Sequence, residues 1–82
     1  MTKDNVKKRI QEHNESITRY YEGELAEALG AKDGKITLDK WFKAQELIKA
    51  QGFYEKGMKI LKECRKAGFD VKMNMQDNRL VF

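Results

Sequence analysis

The chain has 82 residues and a net charge of +4, from 17 lysines and arginines against 13 acidic residues, and this length suffices for one domain, residues 1–82. A single cysteine, Cys64, excludes an internal disulfide, and with His13 as the only histidine a structural zinc site is excluded too. Because no apolar run approaches the about 20 residues of a membrane-spanning helix, we expect a cytoplasmic protein that binds no membrane.

The first predicted element is a long amphipathic helix from about residue 3 to Leu29. Its apolar residues fall within about 140° of arc at 100° per residue. They are Val6, Ile10, Ile17, Tyr20, Tyr21, Leu25 and Ala28. Thr2 or Asp4 can cap the start, and Gly30 stands where a C-terminal glycine belongs. Gly23 lies inside this helix, where we expect its small size to permit a close contact.

The loop that follows resembles the second half of an EF-hand calcium loop over residues 32–42. Gly34 and Ile36 have the spacing of the glycine and the apolar residue of that family. Three EF-hand ligand positions, however, are occupied by residues that cannot serve, Leu29, Ala31 and Lys40. We therefore predict no metal here and interpret the segment as a turn that leads into a helix capped by Thr37.

Two shorter helices are predicted next, separated at Gly52. The first has one shared face of Leu38, Trp41, Phe42, Ala44 and Ile48, and the second has a stripe of Phe53, Gly57, Ile60, Leu61, Cys64 and Ala67. The two stripes are rotated by about 100° relative to each other, close to one residue of helix. We therefore predict a break or a kink at Gly52, and an end of the third helix at Gly68.

The tail changes from helical to alternating periodicity. Apolar and polar residues alternate over 69–75, a turn follows at 76–78, and residues 79–82 form a short return strand. Since an isolated hairpin is marginal in water, it must pack on a helix or pair with another chain. The predicted fold is therefore α+β and mainly α, with a long N-terminal helix, two shorter helices or one kinked helix, and a C-terminal two-stranded β-hairpin.

The length of the first helix predicts self-association. A helix of 25 residues is about 38 Å long, whereas a compact chain of this size has a radius of gyration of about 12 Å. The remaining elements can cover only part of such a rod. We therefore predict a homodimer or a higher homo-oligomer.

For function, we predict a small non-catalytic interaction protein that binds a protein partner. Small basic single-domain chains of this kind are common among bacterial and phage accessory factors, including inhibitors. Since aromatic side chains dominate interfaces, the candidate contact residues are Tyr20, Tyr21, Trp41 and Tyr54. Neither His13 nor Cys64 has the partners that catalysis needs, so we predict no enzyme, no cofactor and no metal.

The alternative is a nucleic-acid-binding protein. Residues 53–82 carry seven basic and four acidic side chains, and one helix there carries a row of lysines, Lys56, Lys59, Lys62 and Lys66. Such a row can follow phosphates, but a solvated helix face has the same pattern. A further alternative is a nucleotide or another small ligand bound at a subunit interface.

Overall fold

The computed structural model describes residues 2–30 and 37–82, which form a mainly helical fold with one small sheet. The N-terminal helix consists of α1 (Lys3–Tyr20), a π-helical turn (Tyr21–Leu25) and α2 (Ala26–Leu29). It is followed by α3 (Leu38–Ala50), α4 (Phe53–Lys66) and the antiparallel strands β1 (Lys72–Met73) and β2 (Leu80–Val81). The predicted fold class is confirmed. None of the described helices is both long and apolar enough to cross a bilayer.

The helix ends follow local sequence signals. Thr2 caps α1, because its hydroxyl accepts a hydrogen bond from the Asn5 amide at 3.2 Å, and Gly30 ends α2 in the left-handed region at φ 56°. The Thr37 hydroxyl caps α3 in the same way as Thr2, with the Lys40 amide as donor at 3.3 Å. The EF-hand-like residues 32–36, with the predicted turn, lie outside the described residues.

The predicted break at Gly52 is confirmed. Helix α3 ends at Ala50, and Gly52 adopts φ 69°, a left-handed conformation that costs glycine little. Helix α4 begins at Phe53, so the two helices form one kinked unit that runs back along the N-terminal helix. This kink allows α3 and α4 to direct different sides toward the same long helix.

The core consists of two clusters along the N-terminal helix. The first joins the start of this helix to α4 and the hairpin through Val6, Ile10, Leu61, Cys64, Val71 and Leu80. The second joins its other half to α3 and the start of α4 through Ile17, Tyr20, Leu25, Ala44 and Phe53. Ala28 and Ala67, which the periodicity assigned to these stripes, are exposed. The molecule is elongated, 44 × 17 × 15 Å, with a radius of gyration of 14.8 Å.

The hairpin is shorter than the alternating pattern predicts. Only Lys72–Met73 and Leu80–Val81 pair, with Met73 opposite Leu80. The strand ends early because the Asn78 amide donates to the Asn74 carbonyl at 2.7 Å and closes a turn that starts before Met75. Met75 is consequently exposed, although its position in the alternation placed it with the buried Val71.

The glycine that permits a close contact is Gly57, and the expectation for Gly23 is wrong. A Cβ built on Gly23 meets no atom of the described residues within 4 Å, whereas one built on Gly57 lies 2.8 Å from Met73 Cε and 3.1 Å from His13 Nε2. Gly23 instead lies in the π-helical turn. A glycine at position 57 therefore allows the hairpin and the N-terminal helix to approach α4.

Candidate functional site

The hairpin is attached to the N-terminal helix by buried and half-buried polar side chains. His13 is buried, and its Nε2 lies 2.9 Å from the Asn78 carbonyl oxygen. Because a carbonyl oxygen only accepts, this nitrogen carries a hydrogen and donates it. His13 therefore joins α1 to the hairpin turn, which gives the one histidine of the chain a structural role.

Asn14 covers the outer edge of β2. Its amide nitrogen donates to the Leu80 carbonyl at 2.9 Å, and its carbonyl oxygen accepts from the Leu80 amide at 2.9 Å. Nearby, Arg79 donates to the Thr18 hydroxyl at 2.8 Å and pairs with Asp77. The hairpin thus packs on a helix of its own chain, and the Asn14 side chain occupies backbone groups that an edge strand would offer to another chain.

A concave surface lies beyond the hairpin turn, and we call it the aromatic surface. It consists of two adjacent grooves of about 300 and 370 Å³, which share the side chains of Gln45, Ile48 and Gln76. Tyr21 and Trp41 line the first groove, and Tyr54 lines the second. The fold therefore brings three of the four predicted contact aromatics to one surface.

The fourth predicted contact residue, Tyr20, lies in the core instead. It is only 9% exposed, and its ring packs edge-on against Phe53 with the centroids 5.8 Å apart. Tyr21, one residue further along the helix, is half-buried at the first groove. Its burial, and to a smaller extent the nearby Asp77 carboxylate, raises the pKa of its phenol. Adjacent positions on a helix differ by 100°, which separates the core residue from the surface residue.

The shared apolar face of α3 is mostly exposed. Ala44 is buried and Ile48 half-buried, whereas Leu38, Trp41 and Phe42 remain 68%, 51% and 59% exposed. The face is wider than the single N-terminal helix can cover, because these residues spread around α3 on one side of Ala44. Together with Tyr54, which is 45% exposed, they leave a large apolar surface at this end of the molecule.

The four predicted lysines all lie on the exposed part of α4. Lys59, Lys62 and Lys66 point away from the buried stripe of the helix, and Lys56 lies closer to the N-terminal helix, in a groove that it shares with Lys59. No described acidic side chain forms an ion pair with any of them. Glu63, on the same helix, pairs with Arg9 of α1 instead. The row is therefore accessible as a basic surface.

A third groove, of about 610 Å³, runs along the outer side of α1 beside Phe82. Most of its uncharged polar side chains are already hydrogen-bonded within the chain, in the pairs Asn14–Leu80, Thr18–Arg79 and Gln11–Glu15. A small-molecule site needs a few polar groups that converge on the ligand. Beyond these pairs, the groove offers a small ligand only the two cationic side chains of Lys7 and Arg19.

The described residues contain no group of three His, Cys, Asp or Glu side chains that could hold a metal ion. Cys64 is fully buried among the apolar side chains of the first cluster. Among the described residues, the aromatic surface and the lysine row are thus the two features that resemble binding surfaces. Comparisons with protein-family models, curated proteins and solved structures found no match to this chain.

Proposed function

We propose that this chain is a non-catalytic interaction protein that binds a protein partner through the aromatic surface. The observation that carries this proposal is the grouping of Tyr21, Trp41 and Tyr54 around two adjacent grooves. Tryptophan and tyrosine are the residues most often found at the energetic centres of protein interfaces. A binding or inhibitory accessory factor needs such a surface and no reaction centre.

The composition of the surface fits this role. Two of its aromatic residues, Trp41 and Tyr54, are about half exposed, so each has apolar area still to be buried. Polar side chains surround them, with Gln45 and Gln76 between the grooves and the charged residues Lys49 and Glu55 at the second groove. An apolar centre with a polar rim is the usual arrangement of a protein–protein interface.

A photo-crosslinker at position 41 tests the proposal directly. With Trp41→p-benzoylphenylalanine, irradiation in the source cells is expected to attach the chain covalently to a protein. The same amino acid at Glu12 is the matched control. Glu12 is also exposed, but it lines a different groove, between α1 and α4, to which the hairpin contributes no residue. Equal labelling from both positions, or no adduct from position 41, would overturn the proposal.

The partner so identified then permits a quantitative prediction. Trp41→Ala and Tyr54→Ala are each expected to weaken its binding about 30-fold, the effect of losing about 2 kcal/mol at an interface centre. Titration calorimetry with both purified proteins measures the loss, and circular dichroism confirms that the variants fold. Because both side chains are about half exposed, their truncation leaves the core in place. Unchanged affinity in both folded variants would contradict the proposal.

Nucleic-acid binding is the second candidate, because the lysine row of α4 is exposed and unpaired among the described residues. If it applies, the triple variant Lys59→Glu, Lys62→Glu, Lys66→Glu is expected to abolish binding to a duplex, and the wild-type affinity falls steeply with salt. The triple reversal of Lys3, Lys7 and Lys8 is the control with equal net charge. Equal loss from both triple variants would show a general charge effect and no site on α4.

A further inference from the structure

The two ends of the molecule differ in the number of packed layers. At the N-terminal end of α1, the hairpin lies over α1 and α4 and completes the first cluster. At the other end, only the N-terminal helix, α3 and Phe53 form the second cluster. Among the described residues, the hairpin reaches this end only as far as Gln76. Among the residues that the structure describes, no element covers the line between the N-terminal helix and α3 beyond Gln76.

We call this open line the seam. It is the first groove of the aromatic surface, and its lining consists of Tyr21, Leu25, Leu29, Trp41, Ala44, Gln45, Ile48 and Gln76. None of these residues is charged, whereas four other grooves of the described residues each contain charged side chains. The seam can therefore be covered by another apolar surface without burying a charge, which would be costly.

We propose that the occupant of the seam is a second copy of this chain, so that two helix pairs form a four-helix bundle around a two-fold axis. A two-fold axis places the same patch of both copies face to face, so the patch must be compatible with itself. The uncharged seam meets that condition, although the chain as a whole carries a charge of +4. Two helix pairs packed through their apolar sides are the standard arrangement of a bundle core.

The area available matches a small stable dimer. Trp41 lines the seam, Leu38 and Phe42 are further exposed apolar residues of α3, and each aromatic side chain can bury up to about 200 Å². Including the seam itself, we estimate on the order of 500 Å² per copy, close to the lower limit of a specific interface. The added layer would complete the second cluster in the way that the hairpin completes the first.

This inference rests on the proposed function and names the partner. Light scattering on a size-exclusion column, over about 1 to 100 µM, is expected to show twice the 9.6 kDa chain mass at the higher concentrations. Trp41 is the only tryptophan, so its emission should move to longer wavelength as dilution exposes the seam. A monomeric mass throughout this range would overturn the inference.

A variant in the seam separates this interface from any other. Trp41→Glu places a carboxylate in both halves of a two-fold contact, so this variant is expected to be monomeric at about 100 µM. Ser16→Glu adds the same charge on α1, beside α4, and should remain dimeric. A folded Trp41→Glu variant that stays dimeric would overturn the seam as the contact.

The crosslinking experiment at position 41 keeps the two proposals distinguishable. An adduct of two copies of the chain supports both. An adduct with a different protein, together with a monomeric mass for the purified chain, leaves the proposed function standing and overturns the dimer. No adduct at all overturns both proposals, because position 41 lines the seam.

Discussion

Replacement of Gly57 by valine is expected to lower the free energy of unfolding by about 3 kcal/mol, which combines overpacking with the loss of a buried hydrogen bond. A Cβ at this position lies 3.1 Å from His13 Nε2 and 3.4 Å from the Asn78 carbonyl oxygen. His13 cannot turn away without losing its 2.9 Å hydrogen bond to that oxygen. Urea unfolding followed by circular dichroism measures the loss.

The matched control is the other helical glycine. Gly23→Ala introduces a methyl group into open space and replaces glycine in a helix, so it is expected to stabilise the chain by about 0.5 to 1 kcal/mol. The free energy of unfolding of Gly57→Ala should lie between those of the wild type and Gly57→Val. The alanine variant therefore keeps the comparison informative if the valine variant does not fold. Stabilisation by alanine at both glycines would show that the hairpin does not rest against Gly57.

Replacement of Asn14 by alanine is expected to cost about 2 to 3 kcal/mol, because two backbone groups of the buried Leu80 lose their partners together. Alanine is the better helix former, so a loss of stability cannot come from α1 itself. A decrease of this size lowers the melting temperature of so small a domain by about 10 °C or more. The Leu80 amide should also exchange its hydrogen faster, while amides in the middle of α4 keep their relative protection.

Gln11→Ala is the control for Asn14. Gln11 lies on the same helix and is exposed, and its side chain donates a hydrogen bond to Glu15 within that helix, at 3.0 Å. Its replacement is expected to change the stability by less than about 0.5 kcal/mol. Equal effects at the two positions, or a Leu80 amide that stays protected in Asn14→Ala, would mean that Asn14 does not hold β2.

Much of the fold is predictable because its signals are local. A cap such as Thr2 acts on amides within its own helical turn, and Gly30 and Gly52 end helices through their own backbone conformation. The long period-3.6 pattern and the change of period after Gly68 likewise need no knowledge of distant residues. These features determined the element order, the kink and the class of the fold.

The candidate site was only partly predictable. Tyr21, Trp41 and Tyr54 could be chosen by residue type, since aromatic residues favour interfaces. Their common surface depends on the packing of α3 against the N-terminal helix and on the position of the hairpin turn. The same criterion also selected Tyr20, which the fold buries against Phe53, because periodicity does not resolve two neighbours at the edge of an apolar stripe.

The sequence alone determined the helix caps, the helix breaks at glycines and the hydrophobic periodicities. These features define a mainly helical chain with a hairpin after the last helix. Only the tertiary structure decided that Asn14 and His13 hold that hairpin, through partners 66 and 65 positions away. It also decided that Gly57 is the close contact and that α3 keeps its apolar face open. The reason is physical: caps and turns form between neighbours in the chain, whereas burial depends on which distant elements pack against each face.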